Sequence, residues 1–282
     1  MKTLLCATDL REETAFLLQY AYNLSTRLKV KLVVVHVYDL PPVNISGFQD
    51  NIQLDLRVSD EQKHALKAYC TDHLGSAFTT NKGNIQIYAV EDSSVVNGII
   101  TAARSIFADL IMVGTKSKNS QRGFFAGNIA RTLVDKVNVP LIIVPGEKIQ
   151  EPKLQNIVYA SALESKDIEA LKTLASLAKP FQATINVLHV SVKSEFDSEE
   201  QLQWFQELVK EYVTYSNIKY HLITSEDIFG TINNYVDEIG ADMLVMLERK
   251  ERNLLRSLYH QDLVKRMESK LSIPLVSFRM EE

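Results

Sequence analysis

The chain repeats itself, and the repeat restricts the fold to two copies of one domain. Residues 3–8 (TLLCAT) resemble 156–161 (NIVYAS), and 32–37 (LVVVHV) resemble 185–190 (INVLHV), both at an offset of 153. Further on, 108–113 (ADLIMV) matches 241–246 (ADMLVM) at 133, and 139–142 (VPLI) matches 273–276 (IPLV) at 134. The second copy is therefore 20 residues shorter, and the loss falls between its second and third strands. Ser59-Asp60-Glu61-Gln62 and Ser198-Glu199-Glu200-Gln201 both fit the capping box, in which a hydroxyl and a Glu or Gln side chain satisfy the free N–H groups of a helix start. Their offset of 139 puts 14 of the missing residues before that helix and 6 after it. In the first copy the stretch before it, Tyr38–Val58, holds Pro41, Pro42 and Gly47 and reads as a loop, with the helix starting at Ser59. The join, Gly146–Gln155, separates a first domain at 1–146 from a second at 153–282.

Within each copy, apolar runs alternate with helical patterns. In the first copy the runs are 3–7, 31–37, 85–90, 109–114 and 141–144. They are near-continuous rather than alternating, as strands buried on both faces of a parallel sheet must be. Leu17, Tyr20, Ala21, Leu24 and Leu28 line one face of a helix between the first two runs, and Leu171, Leu174, Ala175 and Ala178 do the same in the second copy. Ile129, Leu133, Val134 and Val137 give the last helix of the first copy its apolar face. Right-handed crossovers then predict two tandem α/β domains, each a doubly wound, five-stranded parallel sheet of Rossmann-like type. Ligands of such sheets bind beyond the carboxyl ends of the strands, at the point where strand order reverses.

Charge and cysteine content narrow the function classes. The net charge is −4 and the isoelectric point about 5.9, which supplies no global attraction to nucleic acid or to an anionic membrane. Neither is expected as a partner. No apolar run approaches the ~20 residues that span a bilayer, and the N-terminus lacks the long apolar core of a signal peptide. Cys6 and Cys70 are the only cysteines and form no metal-binding spacing. The expectation is a reduced, cytoplasmic protein.

The first copy holds the candidate site. Its first strand ends at Thr8-Asp9, its second at His36-Val37 and its fourth at Val113-Gly114. The segment after Gly114, TKSKNSQRGFFAGNIARTL, carries Gly123, Gly127, Lys116, Lys118 and Arg122, and Asn128 suits the N-cap of the helix behind it. A glycine-punctuated loop feeding a helix N-terminus offers N–H groups and a favourable dipole to phosphate. The same composition also suits an ordinary surface loop. Together with LLCATD and LVVVHV, the runs Asp109–Gly114, Gly127-Asn128 and Val139–Val144 resemble the universal stress protein (UspA-like) family. That family's nucleotide pattern is G-x2-G-x9-G-(S/T), and the frame here is Gly114-x2-Ser117-x9-Gly127-Asn128. The resemblance implies a domain that binds ATP, AMP or a related adenine nucleotide, with Mg2+ if ATP. By position, Asp9 and Val37 would face the adenosine end. Gly114, Gly127 and Asn128 would face ribose and phosphates.

Two departures weaken the frame. Ser117 stands where glycine permits a left-handed backbone, which costs another residue about 1–2 kcal/mol. Asn128 replaces the final hydroxyl residue, although its amide can cap the helix and donate to phosphate. The second copy departs further. Ala162 stands in place of Asp9, Leu247 in place of Gly114, and Gln261-Asp262 opposite Gly127-Asn128, where a carboxylate would repel phosphate. Its basic segment Arg249–Arg256 reads as solvated loop, and His260 alone carries no function. His36 and His189 match across the repeat, which favours a role in the fold because the second copy keeps its His without the Asp or the glycines. Trp204, Phe205, Val209 and Tyr212 read as one core or interface stripe. No nucleophile elbow, H-E-x-x-H or P-loop is present, so no catalytic base is assigned. The leading expectation is a regulatory tandem protein of this family that binds an adenine nucleotide in its first domain and pairs with a protein partner or further copies of itself. The alternatives are a non-nucleotide interaction module of the same fold and a hydrolase or transferase using Asp9 and His36.

Overall fold

The computed structural model describes residues 1–40, 48–81, 83–115, 128–146, 152–192, 198–248 and 272–279. The chain divides into two compact units, one built on Met1–Val139 and the other on Pro140–Pro145 with Pro152–Glu282.

The first unit runs β1 (Thr3–Thr8), α1 (Ala15–Leu28), β2 (Lys31–Tyr38), α2 (Phe48–Leu74), α3 (Ser76–Thr80), β3 (Ile85–Glu91), α4 (Val95–Ser105), β4 (Leu110–Gly114) and α5 (Asn128–Lys136). Its strands are parallel in the order β3-β2-β1-β4. The order reverses between β1 and β4, so the switch-point crevice lies beyond the ends of those two strands. Leu4, Leu5, Cys6, Leu32, Val33 and Val34 are wholly buried, as strands covered on both faces require.

The second unit contains β5 (Leu141–Val144), β6 (Asn156–Ala160), α6 (Asp167–Ala178), β7 (Thr184–Ser191), α7 (Ser198–Tyr212), β8 (Ile218–Thr224), α8 (Ile228–Glu238), β9 (Met243–Glu248) and β10 (Leu275–Arg279). Strands β8-β7-β6-β9-β10 are parallel, and β5 runs antiparallel to β10. The duplication is therefore structural: two α/β Rossmann-like domains in tandem, with strand bounds that keep the sequence offsets. β2 and β7 start 153 residues apart, and β3 and β8 start 133 apart.

Small devices repeat with the strands. The Asp109 carboxylate accepts from the N–H groups of Lys2 and Thr3 at 2.6 and 2.9 Å, and Asp242 accepts from Gln155 and Asn156 at 2.7 and 2.8 Å. Each ties the entry of one strand to the start of its neighbour. Ser94 caps α4 through the N–H of Asn97, and Asp227 caps α8 through that of Gly230. Lys29 and Gln182, at the same repeat position, both end a helix in the left-handed conformation.

Two expectations need correction. The helix after the long first-copy connection begins at Phe48, not at Ser59. No proline or glycine follows Gly47 until Gly75, so nothing interrupts the helix between Phe48 and Ser59. The capping-box residues sit inside it, and only in the second copy does the motif mark the start, at Ser198 of α7. The Trp204 stripe also divides. Phe205 and Val209 are buried, whereas Trp204 and Tyr212 are about half exposed, with the Lys172 ammonium 5.6 Å from the Tyr212 ring centroid.

Both thiols are buried, and burial pushes Cys6 far above the ordinary thiol range and Cys70 up to about 12. The reactive thiolate is therefore suppressed in the folded protein. The native chain at pH 8 should be inert to an aromatic disulfide reagent and should release two thiols per chain once denatured. Prompt reaction of the native protein would contradict this packing.

Candidate functional site

The register brings three strand ends together. β1 pairs β2 through Thr8 opposite His36, so Asp9 stands level with Val37. β1 pairs β4 through Cys6 opposite Met112, and two further residues along that register set Gly114 level with Thr8. Asp9, Val37 and Gly114 thus lie at the carboxyl ends of adjacent strands, beside the switch point. Ser117 and Gly127 lie outside the described residues. Asn128 is the first residue of α5, within one residue of the cap expected for it.

Asp9 is already engaged. Its Oδ1 accepts from the Thr14 hydroxyl at 2.6 Å and from the Arg11 N–H at 3.3 Å, and the Arg11 Nε lies 3.7 Å from Oδ2. The carboxylate pins the turn that leads into α1, in which Leu10 takes a left-handed backbone at φ 61°. The Thr8 hydroxyl supports the same turn by accepting from the Leu10 N–H. An ionised carboxylate offers about four acceptor directions, but only 4% of the Asp9 side chain is exposed, and its Oδ2 already faces the Arg11 guanidinium.

The Val37 side chain is not available to a ligand. It is buried, and α4 packs against it at Gly98, where an added Cβ would stand 2.6 and 2.9 Å from the two Val37 methyls. Val37 is β-branched and stiff, so it cannot swing aside. Gly98→Ala should destabilise the chain by about 1–3 kcal/mol in urea denaturation. A neutral result would mean that α4 can retreat from β2. The second copy has Thr231 at this position, and its Val190 is correspondingly half-buried rather than buried.

His36 and His189 do the same work in both copies. The Nδ1 of His36 lies 3.0 Å from the Thr8 carbonyl, and that of His189 lies 2.8 Å from the Ser161 carbonyl. A carbonyl only accepts, so the proton sits on Nδ1. Each ring ties the end of its strand to the neighbouring one, as the repeat predicts.

The second copy holds a carboxylate that reading from Asp9 misses. Asp167, at the repeat position of Thr14, is fully buried. Its Oδ1 accepts from the Tyr159 hydroxyl at 2.8 Å, and its Oδ2 accepts from the Ser161 hydroxyl at 2.7 Å and the Glu164 N–H at 3.1 Å. Glu164 is the repeat counterpart of Arg11, so the same N–H is held from the helix side instead of the strand side. Leu163 keeps the left-handed backbone of Leu10, at φ 57°. The carboxylate has moved from the strand end to the helix side of the turn, in place of Thr14, while the hydroxyl of Thr8 is kept as Ser161. Tyr159 replaces Cys6 and Leu247, buried, replaces Gly114. The signal was present in the sequence as three coupled differences at the repeat offset: Cys6 to Tyr159, Asp9 to Ala162 and Thr14 to Asp167.

Among the described residues no helix is long and apolar enough to cross a membrane, and no cluster of three or more His, Cys, Asp or Glu side chains could hold a metal ion. The segments around Arg249–Arg256, His260 and Asp262 lie outside the described residues.

Comparison with curated proteins gives no match. Among solved structures, the fold is similar to a universal stress protein from Archaeoglobus fulgidus DSM 4304, with a TM-score of 0.71 at 17% identity over 99% of this chain and 98% of that one. It is also similar to a putative universal stress protein from Pseudomonas aeruginosa UCBPP-PA14, with a TM-score of 0.63 at 14% identity over 99% of this chain and 93% of that one. At such identities the likeness is one of fold. The sequence pattern of the universal stress protein family itself matches twice, over residues 1–145 and 153–261, and the chain belongs to that family as a tandem pair of its domains.

Proposed function

We propose that the first copy binds an adenine nucleotide, ATP or AMP, with Mg2+ accompanying ATP, and that the second copy serves as a structural and interaction domain. The two copies are domains 1–146 and 153–282, a division supported by the two family matches, with β5 of the first copy contributed to the second compact unit. The observation that carries the reading is the contrast between the two switch points. In the first copy the carboxylate stands at the strand end itself, tucked with little exposure against the Arg11–Thr14 turn, beside a β4 that ends in glycine. In the second copy the carboxylate is buried under Tyr159 and Ser161, and β9 carries leucine where β4 ends in glycine.

On this reading Asp9 accepts from the nucleoside through Oδ2 and Val37 contributes backbone alone. Gly114 lets the ligand approach β4, and Ser117, Gly127 and Asn128 cradle the phosphates at the N-terminus of α5. The role is regulatory, in the cytoplasm, exerted through a protein partner or further copies of the chain. No dedicated catalytic base is assigned, and at most slow ATP hydrolysis is expected. The test is to denature the freshly purified protein, analyse the supernatant for adenine nucleotides, and titrate ATP and AMP calorimetrically. Bound nucleotide or a saturable heat is the expected result. Neither at millimolar ligand would favour an interaction module whose site has been lost.

A further inference from the structure

The residue that closes α4 has no explanation within the fold. Phe107 takes a left-handed backbone at φ 50°, with its N–H on the Arg104 carbonyl and the next N–H, of Ala108, on the Ala103 carbonyl. This helix ending favours glycine, because any Cβ crowds the neighbouring carbonyl. The duplication supplies an internal control: the same position in the second copy is Gly240, at φ 57°. Packing does not account for the phenylalanine either, since it is 86% exposed. A strained backbone residue that serves neither conformation nor core points to function.

Phe107 stands at the rim of a cavity of about 450 Å³, lined by Ile100, Ala103, Ile111, Val137 and Val139. Two cations, Arg104 and Lys136, flank it, both exposed, and neither forms an ion pair among the described residues. The nearest strand-start carboxylate, Asp109, is committed to the N–H groups of Lys2 and Thr3. The second copy departs at three of these positions: Ile100 corresponds to Asn233, Arg104 to Asp237 and Phe107 to Gly240. A projecting aromatic, an apolar hollow and paired unneutralised cations are the elements of an interaction hot spot. Phe107 lines the hollow but, at 86% exposure, also extends beyond it, so an occupant that covers both the hollow and the outer face of the ring is a polypeptide surface.

We infer that the first copy docks an acidic, apolar peptide segment of a partner protein, with an apolar side chain in the hollow against Phe107 and carboxylates on Arg104 and Lys136. The surface lies toward the amino end of β4. Ile111 and Gly114 are three residues apart, or about 10 Å along the strand, so the switch-point site stays open when the surface is covered. This inference therefore stands or falls separately from nucleotide binding.

The test is a random dodecapeptide phage library selected on the full chain at low salt and counter-selected on the Phe107→Gly chain. The expected peptides combine apolar with acidic residues. As synthetic peptides they should bind at least about tenfold more weakly to Phe107→Gly, more weakly to Arg104→Asp, and more weakly as salt rises. The melting temperature of Phe107→Gly should be unchanged or higher, because the variant takes the residue its sister copy uses. Peptides without acidic bias, binding indifferent to both substitutions, no enrichment over the counter-selection, or a clear fall in the melting temperature of Phe107→Gly would each overturn the inference.

Discussion

Asp167→Ala should cost the second unit about 2–5 kcal/mol, the largest stability effect expected at any carboxylate described above. The substitution removes the acceptor of the Tyr159 and Ser161 hydroxyls, both buried, and each buried hydrogen bond lost costs about 1–3 kcal/mol. The Glu164 N–H also loses its acceptor, but Glu164 is exposed and water can replace it. Asp167→Asn keeps one acceptor oxygen and should fall between wild type and alanine. Asp9→Ala is the matched control in the first copy. There the carboxylate is itself nearly buried, but the groups it serves, the Thr14 hydroxyl and the Arg11 N–H, belong to half-buried residues, and Thr14 keeps the Arg11 carbonyl as an acceptor, so its loss should be milder. Urea denaturation of the full chain measures all three. If Asp9→Ala proves as damaging as Asp167→Ala, the two carboxylates are equivalent and the burial argument fails.

The second large effect concerns ligand affinity. Restoring the family pattern with Ser117→Gly and Asn128→Ser should tighten ATP binding about tenfold, because the glycine of that pattern permits a left-handed backbone that costs any other residue roughly 1–2 kcal/mol. Asp9→Ala should weaken it by at least a similar factor, since a charge-assisted hydrogen bond contributes about 1.5–3 kcal/mol. Calorimetric titration of the variants against wild type reads both. Unchanged affinity in the restored chain would mean that the phosphates lie elsewhere, even if binding itself is real.

Much of the fold was legible because its signals are redundant. Buried parallel strands read as continuous apolar runs, and the two copies corroborate one another: β1, β2 and β3 begin where their runs begin, and the offsets hold to the residue. The start of α2 was misread because Ser59-Asp60-Glu61-Gln62 also suits an exposed helix surface. A cap is defined by what precedes it, and no breaker lies between Gly47 and Ser59. The pairing of β5 with β10 is a tertiary choice of edge, for which four apolar residues carry no code.

The site was legible by position but not by chemistry. Matching Asp9 to Ala162 correctly marks the divergence, yet a position-by-position comparison reports a lost carboxylate. The carboxylate is in fact relocated to Asp167, five residues along and on the opposite side of the same turn. Phe107 was overlooked for a related reason. Its oddity lies in a backbone angle, visible in the sequence only through its alignment with Gly240.

The two copies differ at the switch point: β4 ends in Gly114 beside Asp9, whereas β9 carries the buried Leu247 and the second carboxylate lies beneath Tyr159 and Ser161. Photolabelling with 8-azido-ATP, followed by peptide mapping, tests this most directly. Label should be confined to residues 1–146, competed by unlabelled ATP and lost in Asp9→Ala. Competable label within 153–282, or none in either copy, would contradict it.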